Sequence, residues 1–417
     1  MKNRGRTTAS YHDRIRPVER IELREEKSGL RLVLFCVFLT IAVAALGYTF
    51  ISLLREDSGW RDVEVTSAAE MNCSSELVFQ YDLGRSGASA TAQYKELSAA
   101  YTEACVKCYR LFSNDEAFAG INNIRYINSH PGEEIELDAL LYGAFEKLEE
   151  QGGSWIYLAP IYREYMNLFY SGGDHEAEEY DPLLNPQAAE YYKEICAYIN
   201  DREHVRLELL GDNRVKLHLS EDYAAFAREN FIESFVDIFW MKNAFIVDYI
   251  ADTVAAMGYT HGSIASYDGF TRNLDSQLSY SFNLFDRQGS NIYQAAILEY
   301  SGPMSIVYLR DYTMNSMDIQ HYYQRENGET RTCYIHPADG VCREALNNLV
   351  CCAPDMGCAD VLMRVLDVYV AESFDESALP EDIGCIWFEN SRLYRSDESL
   401  NIFALFEKDG VKYTLAE

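Results

Sequence analysis

The stretch Asp237 to Phe270, DIFWMKNAFIVDYIADTVAAMGYTHGSIASYDGF, constrains the fold more than any other part of the chain. Ile246, Ile250, Val254 and Met257 recur at helical spacing and form one apolar stripe that must be buried against a core. Gly258 stands where a terminating helix needs a residue that tolerates positive φ. Ser263 to Ser266 then reads as a short buried strand, and Tyr267-Asp268-Gly269 as a tight turn. The unit expected is therefore loop, helix, strand and turn in direct succession.

The chain around it has material for a large core: 417 residues, 48% apolar and 13% aromatic. Residues 32 to 54 carry no charge and are long enough to cross a hydrocarbon layer of roughly 30 Å as a tilted helix. The run is too long for the apolar region of a signal peptide and no A-x-A-like site follows it, so an uncleaved anchor is expected. Nine Lys and Arg precede it within residues 1 to 31, and only Arg55 and Arg61 lie just beyond, which predicts a cytoplasmic N-terminus. The expected organisation is a basic tail (1–31), a membrane helix (32–54), a connecting segment (55–69) and an extracytoplasmic domain (70–417).

Beyond residue 31 the chain holds 27 basic and 61 acidic side chains, a net charge of −34. A surface of that sign repels polyanions, which excludes nucleic acid and anionic headgroups as partners of the exported part and favours cations or a basic exported protein. Ten of the eleven cysteines lie beyond the apolar run. Outside the cytoplasm they can form disulfides, and in a reducing niche they serve as small buried hydrophobes. Cys105-x-x-Cys108 falls inside a predicted helix, Tyr94 to Phe112, without a second such pair or clustered histidines, so no zinc or redox centre is expected there.

Taken in order, the pattern predicts an opening strand at Glu76 to Tyr81 and helices at Tyr94 to Phe112 and Asp138 to Gln151. A polar surface loop follows at Gly172 to Asp181, then a helix at Gln187 to Asn200 and a hairpin, Val205 to Leu210 with Val215 to Leu219. Glu221 to Glu229 is helical, and strands follow at Ser279 to Phe285, Gln294 to Glu299 and Met304 to Leu309. A last helix, Cys358 to Phe374, precedes closing strands at Ile386 to Phe388 and Ile402 to Phe406. No G-x-S-x-G, P-loop or G-x-G-x-x-G is present.

This order of segments resembles the FAD:protein FMN transferase (ApbE) family. In that family D-L-G-G-I-A-K-G-Y-A-V-D enters a helix and a later strand ends in G-G-D or G-G-N. Here Asp237, Val247 and Asp248 match, Asn243 falls on the lysine, Phe239 and Trp240 on the two glycines, and Tyr267-Asp268-Gly269 on the later Gly-Gly-Asp. Ser113 to Asn122 stands at the S-x-x-S-E-I-x-x-L-N segment, with Asn122 matching, and Ser316 and Asp318 agree with T-S-G-D/N. Cys333 to Gly340 stands at H-I-I-D-P-R-T-G, keeping Ile335, Pro337 and Gly340 while His336 replaces the aspartate. In the a-D-a-l-x-T pattern Asp360 is kept and Arg364 replaces the metal-ligating threonine.

The resemblance implies an α+β, T-fold-related domain of mixed, mostly antiparallel sheets with packed helices. It also implies FAD in a groove, Mg2+ on its diphosphate, and FMN passing to a Ser or Thr of an exported protein. On that footing Asp237, Asn243, Asp248, Asp268, Ser316, Asp318 and Arg364 are the cofactor-side candidates, Asp360 is the metal candidate, and no residue is assigned as catalytic. Such transfer needs charge neutralisation and close backbone approach to phosphates. Phe239 and Trp240 at diglycine positions oppose that approach, so a non-catalytic binding module is expected, with an Asp360–Arg364 pair in place of the cation. The alternative is an active Mg-dependent transferase in which Asp360, His336 and nearby acids hold the ion and Arg364 contacts the diphosphate.

Overall fold

A computed structural model describes residues 33–43, 57–67, 70–85, 87–150 and 153–416. The chain divides into two compact units, Met1–Glu56 and Asp57–Glu417. In the first, residues 33–43 are helical and Phe35, Phe38 and Ile41 are exposed on them. The tail 1–31 and most of the expected anchor 32–54 lie outside the described residues. Among the described residues no helix is long and apolar enough to cross a membrane.

The second unit is built on a nine-stranded sheet. Its order is Gly59–Asp62, Leu77–Leu83, Gly262–Ser266, Phe270–Asn273, Met304–Arg310, Asn348–Ala353, Gly384–Glu389, Arg392–Arg395 and Thr414–Leu415. All neighbours run antiparallel except the last pair. Side chains alternate across a strand, and the central strands serve two cores. Val307 and Leu309 join Leu349, Cys351 and Trp387 on the helical side. Ile306 and Tyr308 join Val350, Cys352 and Phe388 on the other. Asn348–Ala353 is buried at every position, which explains why Leu349 to Ala353 are apolar without alternation.

Helices Ala90–Leu111, Lys242–Ala256 and Cys358–Tyr369 cover one face. The other face is covered by a three-stranded sheet of Ser279–Gln288, Asn291–Ser301 and Asn401–Leu405. The organising unit has the expected form. Helix Lys242–Ala256 stops in a Schellman turn, with Gly258 at φ 86, its N–H on the Ala255 carbonyl at 2.9 Å and the Tyr259 N–H on the Val254 carbonyl at 3.0 Å. The hairpin Val205–Gly211 and Arg214–Leu219 turns through Asp212 and Asn213, both left-handed, as a two-residue primed turn demands.

Three expectations change. Gly59–Asp62, within the expected connecting segment, pairs with Leu77–Leu83 as an edge strand of the folded unit. The loop predicted over Gly172–Asp181 contains helix Asp174–Tyr180. Its acidic first turn suits a helix N-terminus, and Arg325 pairs with Asp174 and Glu178, a stabilisation that comes from a distant segment. The helix predicted to reach Phe374 ends at Tyr369, whose carbonyl is taken by the Ala345 N–H at 2.8 Å.

Candidate functional site

Where the chain enters helix Lys242–Ala256, a single turn Phe239–Met241 carries Phe239 at φ 46, a left-handed conformation that a bulky side chain rarely adopts. The ring stacks on Tyr162 with centroids 5.0 Å apart and meets His321 edge-on at 5.6 Å. It forms part of the wall of a cavity of about 320 Å3 that is also lined by Phe112, Tyr170, Asp237, Lys242 and His321. Trp240 points the other way. It is buried and packs edge-on against Tyr334 at 5.0 Å.

The polar groups of this cavity are held by the helix start and by the Ser113–Glu116 loop. Asp237 accepts from the Phe239 N–H at 3.0 Å and from Asn114 Nδ2 at 2.9 Å. Burial raises its pKa, and those two donors and Lys242 only partly oppose the rise. Lys242 Nζ sits 3.1 Å from Glu76. Burial raises the Glu76 pKa, but Lys242 and the Asn243 amide more than offset it and leave the group below its ordinary value. Asn243 Nδ2 donates both to Glu76 at 3.0 Å and to Asp268 at 2.9 Å. Burial pushes Asp268 up to about 6 and His321 down to about 3, so His321 is a neutral ring near pH 7.

Two solved structures share this architecture. Flavin transferase ApbE from Vibrio cholerae superposes with a TM-score of 0.52 at 13% identity, covering 80% of this chain and 94% of that one. The ApbE protein of Thermotoga maritima gives 0.52 at 13% identity, over 74% and 90%. The chain has the ApbE fold. No protein-family model matches it, and no curated relative does either.

On the ApbE frame the predicted residues separate into two groups. Asp237, Asn243 and Asp268 come together around the helix start, joined by Glu76 and Lys242. The others are scattered in structural roles. Asp248 accepts from Arg272 Nη1 at 2.8 Å and from the Cys358 and Ala359 N–H groups at 2.8 and 2.9 Å, so it caps the Cys358–Tyr369 helix. Asp318 is buried 2.7 Å from Arg310 and accepts from the Asn315 N–H at 2.9 Å, closing a capping box; Ser316 is exposed beside it. Asn122 donates to the Glu136 carbonyl at 2.8 Å, outside the 320 Å3 cavity.

The expected Asp360–Arg364 pair does not form. Asp360 pairs with Lys147, and Arg364 pairs through both nitrogens with Asp382, at 2.7 Å for Nη1. The reason is direction: Arg364 reaches past its own helix to a carboxylate on the Asp382 loop, leaving Asp360 to the neighbouring helix Ala139–Glu150. His336 Nδ1 accepts from the Ala338 N–H at 3.2 Å, and burial with Arg343 nearby lowers its pKa. Gly340 in that loop has φ 74, and a Cβ there would meet Ile161 Cδ1 at 2.8 Å, so the glycine is retained for packing.

Sequence reasoning missed Glu76, Asn114 and His321. Lys242, one position ahead of Asn243 at the family's lysine, holds Glu76 on the strand-opening segment. That shift of a positive charge was the one available signal.

Proposed function

We propose that this protein is a membrane-anchored binding module on the ApbE fold in which flavin transfer has been lost. The observation that carries this reading is Phe239: its backbone takes a glycine-like conformation, and its ring occupies the wall where bare backbone would approach a diphosphate. The residues do not fit the family's cofactors. The 320 Å3 cavity is at the lower end of the roughly 300–1,000 Å3 that drug-sized ligands occupy, which is small for a dinucleotide. Of the cations lining it, Lys242 serves Glu76 and Arg163 serves Asp115, while Glu116 and Asp237 add like charge against phosphate. At the metal position Asp360 and Arg364 are each held in ion pairs with other side chains.

The anchor and its orientation belong to the same proposal, supported by the charge-free run 32–54, the basic residues before it and the exposed apolar helix 33–43. Incubating the full-length protein in detergent with FAD, MgCl2 and an exported Ser/Thr-bearing acceptor tests the central claim. No AMP and no protein-bound flavin fluorescence are expected; magnesium-dependent AMP release would overturn it. Protease added outside intact cells should digest the domain, and full protection would refute the topology.

A further inference from the structure

Next to the 320 Å3 cavity, and sharing His321 with it, lies a much smaller one of about 10 Å3, lined by Glu76, Asn243, Asp268, Asp318 and His321. It has room for one water-sized species. Four of these side chains are matched in charge or neutral. Glu76 has Lys242 at 3.1 Å, Asp318 has Arg310 at 2.7 Å, His321 is uncharged near pH 7, and Asn243 is an amide. Asp268 is the exception. Its Oδ2 receives the Asn243 amide, but it has no ion-pair partner among the described residues. Its Oδ1 meets no donor there, and neither does the Oδ1 of Asn243, a residue only 1% exposed.

We propose that this cavity binds one monovalent cation, held by Asn243 Oδ1 and Asp268 Oδ1. The alternatives each leave something unsatisfied. A proton on Asp268 would offer Asn243 Oδ1 a donor, but with its pKa raised by burial only to about 6 the carboxyl is mostly ionised near pH 7, and a water molecule supplies donors but no positive charge beside that buried carboxylate. A small cation meets both needs. A divalent metal is disfavoured because, among the described residues, no three acidic, His or Cys side chains converge as its ligands. The ion would tie the Tyr267–Gly269 turn to the start of helix Lys242–Ala256, which explains why Asn243 spends both N–H groups on carboxylates from two other segments.

The test is thermal unfolding of the full-length protein in detergent at one ionic strength, in choline, sodium, potassium or ammonium chloride. The expected result is a saturable rise in Tm of about 2 °C in at least one small cation over choline. Asn243→Lys, which tethers an ammonium in the site, should unfold in choline as high as the wild type does in its best salt and should lose the ion response. Asp268→Asn should also lose the response, and it decides the matter if Asn243→Lys does not fold. Equal Tm in all four salts would mean a water molecule only and would overturn the proposal. A response that persists in Asp268→Asn would put the ion elsewhere and overturn it equally.

Discussion

At Asp248, in the middle of helix Lys242–Ala256, one carboxylate takes a guanidinium and two backbone N–H groups from two other elements. At Phe239, one turn before the same helix, an aromatic ring sits on a left-handed backbone and faces a cavity. Both positions belong to the stretch that resembles the ApbE motif, yet they have diverged differently. Asp248 is engaged on several sides by the protein itself, so its replacement would take the shorter of the two ion pairs of Arg272, leaving only Asp252 at 3.4 Å, and would uncap a helix. Phe239 combines a left-handed backbone with a ring that lines a cavity. Asp248 is fixed by partners within the fold, whereas Phe239 borders open space on one side.

The largest effect is expected at the frame. Asp248→Ala should lower stability by about 3 kcal/mol in urea denaturation, because it removes the shorter ion pair of a half-buried guanidinium and uncaps a helix. A loss below about 1 kcal/mol would erase the contrast with Phe239.

The next effect is set by pH and concerns Asp268. Its folded pKa is raised by burial to about 6, so the folded state prefers the protonated acid. That contribution is complete below the unfolded value near 4 and is lost as pH rises through 6, costing up to about 3 kcal/mol. In choline chloride the wild type should therefore destabilise between about pH 4 and 7 relative to Asp268→Asn. Parallel pH profiles of the two would contradict it.

A smaller change is expected at the cavity wall. Phe239→Gly relieves about 1 kcal/mol of left-handed strain and forfeits a ring contact of similar worth, so net stability should move by less than about 1 kcal/mol. A loss near 3 kcal/mol, as for a core Phe, would show that the ring belongs to the frame. The smallest effects belong to Asp360→Ala and Arg364→Ala, whose partly exposed pairs should each contribute under about 1 kcal/mol, with no change in Tm on adding MgCl2. A magnesium-dependent shift abolished by Asp360→Ala would restore the metal site.

Much of the frame was legible from local pattern. The stripe Ile246, Ile250, Val254 with Gly258 specified a helix and its stop, and helix Glu221–Glu229 matches its expected bounds, with Ser220 capping it. The helix at Asp174–Tyr180 escaped because its composition is that of a solvated loop and its support comes from Arg325, far along the chain. The site was legible only as a set of positions. Three of its predicted members converge, while Asp248, Asp318, Asp360 and Arg364 each turned out to serve a different partner.

Periodicity and turn residues are local properties, and through them the sequence alone determined the longer amphipathic helices, the main hairpin and the order of segments that marks the ApbE frame. The choice of partner is not local. Lys242 with Glu76, Lys147 with Asp360 and Arg364 with Asp382 are pairs that only the packed sheet and helices bring within reach. The opposite directions of Phe239 and Trp240 were likewise decided by tertiary structure, because one backbone torsion at residue 239 determines which ring enters the core and which faces the cavity.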